Sequence, residues 1–351
     1  MNFPNPPRHI LVSRTDKIGD LVLTLPVFQS LKASFPQTRL TALVSPYTRE
    51  IVAGHPAIDA VETVERGESV FSLTGRFKQI NPDVFLAVYP RPKLAWAAAL
   101  SGIPWRVGTA YRWYSFLYNQ RIAIHRHHGE RHEVEFNLDL VKALGVTASV
   151  KKIVFPLSAG DIEFARDFLK ERGLAPKTRY VVVHPGHKGS ALNWSPARYG
   201  EAIRQLAMVK GLRVVLTAGP DETPLVSQVT TFLEGIPKEK RPILVIGELG
   251  LKQLAALYRG AACFLSGSTG TMHMAAAVGT PTVALFCSIP ETTPVRWGPW
   301  GNESTVFLPK PSGCPACESG ICRKHDPMDQ IAVANVISAV QKHIRIAGKK
   351  K

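Results

Sequence analysis

The chain has 351 residues, 45% hydrophobic and 20% charged, a balance that excludes wholesale disorder and a length that exceeds one comfortable core. Its formal net charge of +16 points to a polyanionic partner: nucleic acid, an anionic membrane face or a phosphorylated substrate. No run reaches the ~18 apolar residues of a membrane span, and MNFPNPPRHILVSRTDKIGD meets acidic residues and glycine before a signal-like core develops, so a cytoplasmic protein is expected.

In chain order, HILVSR (9–14) reads as a buried strand, followed by a turn and a helix from about Leu21 to Ala33. LTALVS (40–45), DAVETV (59–64) and DVFLAV (83–88) read as further strands with helices between them. After a helix around Ile162 to Arg172 the rhythm restarts with YVVVHPG (180–186). Ser195 as N-cap and Pro196 at the first helical position then open a helix. LRVVLTAG, RPILVIG, ACFLSGS and PTVALF continue as strands, and a last helix from about Asp329 to Ile346 follows an irregular Cys/Pro/Gly loop. Short apolar strands alternating with helices form parallel sheets covered on both faces. The pattern predicts an α/β protein with two Rossmann-like, doubly wound domains facing a central cleft. The expected boundaries are residues 1–172, 173–326, and 327–351 as a C-terminal helix and basic tail. In such sheets ligands sit beyond the carboxyl ends of the strands, so chemistry should follow strands directly.

Three segments meet that condition. The first is RTDKIGDLVLTLP (14–26), where Gly19 frees the turn and Asp20 is placed to open the next helix. A carboxylate there is stabilised by the helix dipole and stays ready to take a proton from a sugar hydroxyl; a simple N-cap is the plainer role, and Asp16 is the rival base. The second is HPGHKGSALNWSP (184–196), with Gly186, Gly189 and Lys188 ahead of a helix. Exposed backbone N–H groups and a lysine suit phosphate, although the Walker spacing is absent and a tight surface turn would look the same. The third is SGSTGTMHMAAAVGTP (266–281). Its Ser268, Thr269 and Thr271 hydroxyls at a helix start form an anion site, and His273 lies in the first turn. No DxD pair occurs in the chain, so a leaving diphosphate would be neutralised by helix termini and basic side chains, with no metal or other cofactor required.

Charge is unevenly spread. From Val84 to Gly129 there is no Asp or Glu, while Arg91, Lys93, Arg106, Arg112, Arg121 and Arg126 fall there among Trp96, Trp105, Tyr111, Trp113, Tyr114, Phe116 and Tyr118. That composition suits a membrane-interface or sugar-binding surface, or equally a basic face with aromatics in the core. Five cysteines do not make a disulfide framework; Cys263 and Cys287 read as core residues. Cys314, Cys317 and Cys322 with His325 have zinc-ligand types, although a structural role is favoured. HRHHGERH (125–132) reads as a solvated basic loop.

ILVSRTDKIGDLVLTLPVFQSLKASFP, HPG…NWSPARY and GSTGTMHMAAAVGTPTVALF…WGP together resemble the ADP-heptose:lipopolysaccharide heptosyltransferases, glycosyltransferase family 9, from about Ile10 to Ile337. The resemblance implies a GT-B fold and inverting, metal-independent transfer of heptose from ADP-heptose to the inner core of lipopolysaccharide. It places the catalytic base on Asp20. Donor contacts fall on Gly186, His187, Lys188, Asn193, Trp194, Ser268, Thr269, Gly270, Thr271 and His273. Acceptor contacts are expected at Arg14, Lys17, Gly19, Arg91, Lys93 and Arg112. The implied partners are a nucleotide-sugar donor, a lipid-linked phosphorylated glycan acceptor and the anionic inner face of the cytoplasmic membrane, where the enzyme would be peripheral. Two positions depart from the family pattern: Leu192 stands where well-known members carry Lys, and Ser268 where they carry Asp.

Rival readings are a relative using another nucleotide sugar or surface glycan, and a non-catalytic basic binding protein. No nucleic-acid motif supports the latter, and no GxGxxG follows a strand, which disfavours a dinucleotide-dependent oxidoreductase.

Overall fold

The computed structural model describes residues 6–126, 130–147, 150–187, 189, 191–310 and 327–349. The chain divides into two compact units, Met1–Pro156 and Leu157–Lys351.

In the first unit, β1 (His9–Arg14), β2 (Arg39–Val44), β3 (Ala60–Thr63), β4 (Val84–Ala87), β5 (Trp105–Thr109) and β6 (Gln120–Ile122) form a parallel sheet in the order β3-β2-β1-β4-β5-β6. Strand β1 is central, pairing Ile10 with Leu40 on one side and Val84 on the other. Its run Ile10, Leu11, Val12 is fully buried, as a strand covered on both faces requires. The helices are α1 (Ile18–Val22), α2 (Leu25–Ser34), α3 (Arg49–Val52), α4 (Val70–Ile80), α5 (Pro92–Leu100) and α6 (Glu133–Lys142).

The single helix expected over 21–33 is two, α1 and α2. Pro26 lies in the first turn of α2; it has no N–H to donate back to Val22, so the α1 ladder cannot run through it. The Thr24 hydroxyl bonds the Asp20 carbonyl at 2.8 Å where α1 ends. Because α1 starts after Lys17, Asp20 sits within its first turn and is not its N-cap.

In the second unit, β7 (Arg179–His184), β8 (Leu212–Ala218), β9 (Ile243–Ile246), β10 (Cys263–Gly267), β11 (Thr282–Leu285) and β12 (Ser304–Phe307) form another parallel sheet in the order β12-β11-β10-β7-β8-β9. Around it lie α7 (Ala159–Glu171), α8 (Pro196–Ala207), α9 (Thr223–Thr231), α10 (Leu251–Gly260), α11 (Gly270–Ala277), α12 (Pro294–Trp297) and α13 (Val333–Lys349). Ser195 is the N-cap of α8, with Pro196 following it. The sheet's core reaches into α13 through Val336, Ile337, Val340 and Ile344, which pack with Tyr199, Ile203 and Leu265.

The units part at Pro156 and not at residue 172. The Gln29 side chain donates to the Lys152 carbonyl (3.2 Å) and accepts from the Val154 N–H (3.1 Å). His55 donates through Nε2 to the Val154 carbonyl at 3.1 Å while its Nδ1 accepts from Ala57. The chain is therefore fastened to the first unit as far as Val154. Beyond it Ser158 and Asp161 form a capping box that starts α7, whose buried Ala165 and Leu169 belong to the side packed on α10. Residues 327–349 are likewise no separate appendage: the Trp194 Nε1–H donates to the Ile331 carbonyl at 3.1 Å, and α13 completes the second core.

Candidate active site

In each unit the strand order reverses between its first and fourth strands, β1 and β4, or β7 and β10. Loops leaving those strands diverge there and open a crevice. All three segments singled out in the sequence leave one of these strands.

In the first unit, Arg14 ends β1 with 2% of its surface exposed. Its Nε donates to Asp16 at 2.7 Å, one terminal nitrogen pairs with Asp20, and the other donates to Asn137 at 3.3 Å and lies 3.5 Å from Glu133. Glu133, fully buried at the start of α6, also pairs with Arg126 at 3.0 Å. Asn137, one turn further along α6, accepts from both arginines and donates to the Leu23 carbonyl at 3.1 Å. Burial opposes Arg14's charge, but Asp16, Asp20 and Glu133 outweigh it and raise the guanidinium further above its ordinary range. Burial and the Asp20 charge push the Asp16 carboxyl up to about 6, against the pull of Arg14. The Tyr47 hydroxyl donates to the Asp16 carbonyl at 2.5 Å, and its own pKa is pushed up to about 12 by burial and by the two aspartates.

Arg14, expected among the acceptor contacts, is buried with donors turned to Asp16, Asp20 and Asn137. Lys17 is exposed at the N-cap of α1, and Gly19 is buried within it. Arg91 is exposed beyond β4 with its guanidinium 5.2 Å from the Tyr89 ring centre, and Arg14 lies 5.7 Å from the same ring. The Lys93 ammonium donates to the Glu68 carbonyl at 2.5 Å, which leaves fewer donors for a ligand than expected. Arg112 is exposed. Arg106, from the same acid-free stretch, is turned inward onto the Ile103 and Leu117 carbonyls.

In the second unit, Gly186 follows β7 where a Cβ would collide with the Glu222 carboxylate and force it to move. Glu222, just past β8, accepts from the Gly219 N–H at 2.8 Å and lies 3.9 Å from His184, which bonds Thr217 at 2.9 Å. His187, Gly189, Asp221, Glu222 and Gln228 line a cavity of about 580 Å³. Lys188 lies outside the described residues, as does the Cys314, Cys317, Cys322 and His325 cluster. Glu222 escaped the sequence reading; its one signal was an acidic pair placed directly after the LRVVLTAG strand.

Asn193 and Trp194, expected among donor contacts, have internal partners. The Asn193 amide donates to the Pro185 carbonyl (2.8 Å) and accepts from the Trp194 N–H and the Tyr199 hydroxyl. It also lies over Gly267, where a Cβ would strike it, and so couples the loops leaving β7 and β10. Trp194 is 3% exposed and packs edge-to-face on Tyr199; it fixes the second loop from within the core. Ser268, Thr269 and Gly270 stand at the start of α11, where Thr269 is the N-cap. Thr271 and His273 are buried one turn in, His273 being 6.4 Å from the Trp297 ring. The N-terminus of α11, where the Met272 N–H already bonds the Thr269 carbonyl, is an anion-favouring end that follows the strand next to that of the Gly186 turn. Among the described residues no group of three or more His, Cys, Asp or Glu side chains is placed to hold a metal ion.

Two successive doubly wound units, each a six-stranded parallel sheet, are the architecture of the GT-B class of glycosyltransferases. The profile of Glycosyltransferase family 9 (heptosyltransferase) matches residues 71–326. A Haemophilus influenzae protein provisionally named a glycosyltransferase is 34% identical over 320 residues, covering 87% of this chain and 90% of its own length. Lipopolysaccharide heptosyltransferase 3 of Escherichia coli K12 is 28% identical over 318 residues, with coverages of 82% and 84%. The solved structure of Escherichia coli ADP-heptose lps heptosyltransferase II superposes with a TM-score of 0.77 at 20% identity, covering 96% of this chain and 98% of that one. The chain belongs to glycosyltransferase family 9 and is a heptosyltransferase-type enzyme.

Proposed function

We propose that the enzyme transfers heptose from ADP-heptose to the inner core of lipopolysaccharide with inversion, without a metal ion, at the cytoplasmic face of the membrane. The observation that carries the reading is Asp20: a carboxylate in the first turn of α1, oriented by a buried arginine at the switch point of the first sheet. Asp20 takes the proton as the acceptor oxygen attacks the anomeric carbon. The bond to the diphosphate breaks with its electrons leaving on ADP, and that single displacement inverts the configuration. In the second unit the Gly186 turn and the α11 terminus take the diphosphate. Glu222, just beyond the second strand of its sheet, stands where Rossmann-type sites place a carboxylate for ribose hydroxyls. Of the cations expected to meet the acceptor, Lys17, Arg91 and Arg112 are exposed.

A second reading, transfer from another nucleotide sugar, is favoured at one position. Ser268 precedes α11 where well-known members carry Asp, and a neutral hydroxyl there changes what the sugar ring meets.

The deciding assay is transfer from ADP-heptose to truncated lipopolysaccharide acceptors without added metal, wild type against Asp20→Ala. Transfer by the wild type and a loss of about 10²–10⁴-fold in the variant, with donor binding kept, is expected for a general base. Transfer only from a different nucleotide sugar would establish the second reading, and a product of retained configuration would overturn the mechanism.

A further inference from the structure

On α5 and the turn between β5 and β6, the fold keeps one set of aromatics for its core and leaves another in water. Tyr114, Leu117 and Tyr118 are buried with Phe77, Phe85 and Leu94. The Tyr118 ring lies so close over Gly108 that a Cβ there would strike it. The residues interleaved with them face outward: Trp113 is 74% exposed and Phe116 60%. The Phe116 ring meets that of Trp96 edge-on at 5.9 Å. Leu100, one helical turn beyond Trp96 on α5, is exposed as well, so Trp96, Leu100 and Phe116 form an apolar patch, and the exposed Trp113 ring stands on the same turn as Phe116, edge-on to Tyr114 at 5.3 Å.

The turn is clamped in this arrangement. Arg106 donates to the Ile103 and Leu117 carbonyls at 2.6 and 2.8 Å. Asn119 donates to the Pro104 carbonyl and accepts from the Arg106 N–H. The Ser115 hydroxyl donates to the Thr109 carbonyl and accepts from the Arg112 N–H. With the backbone so held and the core beneath already filled, Trp113 and Phe116 have nowhere inward to go. An exposed aromatic patch that the fold itself does not use marks a contact surface. The segment that carries these side chains has charge of one sign: Val84 to Gly129 holds no Asp or Glu, and Arg91, Arg112 and Arg121 are exposed within it.

We propose that this face of the first unit docks on an anionic phospholipid bilayer. Trp96, Trp113 and Phe116 enter the headgroup boundary, where amphipathic rings partition, and Arg91, Arg112 and Arg121 meet lipid phosphates. The inference rests on the lipid-linked acceptor of the proposed function for its purpose, but membrane binding itself needs neither donor nor acceptor.

The test is flotation of the full chain with phosphatidylethanolamine/phosphatidylglycerol vesicles, against phosphatidylcholine vesicles. Expected are co-flotation with the anionic vesicles only, release by salt, and a blue shift of tryptophan emission on binding. The double variant Trp113→Ser/Phe116→Ser should partition about tenfold or more weakly, ~1.4 kcal/mol or more, while transferring sugar to a delipidated acceptor at the wild-type rate. Trp96→Ser, on a separate element, should weaken binding in the same sense and guards against misfolding of the turn. Equal flotation of wild type and double variant overturns the proposal, as does absence of wild-type binding. A dimer in sedimentation that the double variant dissociates assigns the patch to a second copy and overturns it too. Vesicle binding without heptose transfer upholds the docking surface and counts against the proposed substrate alone.

Discussion

Arg14 is shared by more carboxylates than one cation can neutralise. Asp16, Asp20 and Glu133 all lie against it, and Glu133 is also paired with Arg126. Part of the imbalance falls on Asp16, whose carboxyl is pushed up to about 6 by burial and the Asp20 charge. An acid limb of kcat/KM is therefore expected near pH 6, where Asp16 takes up its proton and changes the charge held against Arg14. In Asp16→Asn that limb should be lost, while turnover at pH ~8 stays within about tenfold of wild type, in contrast to Asp20→Ala. A limb near pH 6 that persists in Asp16→Asn would show that Asp16 does not set it. The same substitution has a signature in stability. A carboxyl raised from 3.8 to about 6 takes up a proton on folding between those values, so its contribution is present at low pH and is lost as pH rises through that window. Denaturant unfolding across that range should show the wild type losing stability relative to Asp16→Asn as the pH increases.

At the scale of elements, α13 shows how a periodic segment is placed by what it covers. Val333, Val336, Ile337, Val340 and Ile344 are buried at helical spacing, and the segment packs on α8, β10 and β11. Ile337→Ala should destabilise the second unit by about 2–5 kcal/mol, the range for truncating a buried Ile. Ser338→Ala, the next residue but on the exposed side, should stay within about 0.5 kcal/mol. Urea unfolding of both variants checks this, and equal effects would mean that the helix does not pack in this register. Such periodicity made the central strands and the long helices legible in the sequence: HILVSR, YVVVHPG and ACFLSGS are strands buried on both faces, and each carries a segment singled out for chemistry. What escaped were strands β5, β6 and β12, toward the sheet margins. WRVGT is half exposed, QRI has three residues, and STVF has four at an edge, so none shows a continuous apolar run. The site was legible as loops and not as partners. Nothing in EVEFNLDL announces that Glu133 and Asn137 will reach Arg14, more than a hundred residues earlier, because a buried ion network leaves no period in the chain.

For the whole molecule, the boundary at Pro156 separates two sheets of like strand order, each with its own apolar cluster. In the proposed division of labour, the acceptor and the base belong to the first unit and the nucleotide to the second. If the second unit holds its core alone, residues 157–351 expressed by themselves should fold cooperatively and bind ADP. Saturation at 100 times Kd should stabilise that fragment by about 2.7 kcal/mol, read as an upward shift in thermal midpoint, while residues 1–156 should show no shift with ADP. A fragment beginning at residue 173 tests the boundary itself. It lacks α7, so the face of α10 that meets Ala165 and Leu169 is uncovered and Arg172 no longer pairs with Glu248. That fragment should aggregate or unfold at lower temperature than 157–351, even though every nucleotide-facing loop is present. Equal stability of the two would show α7 to be a linker and move the boundary to where the sequence alone had put it. ADP stabilisation of residues 1–156 would instead assign the nucleotide to the wrong unit and, with it, Asp20 to the wrong substrate.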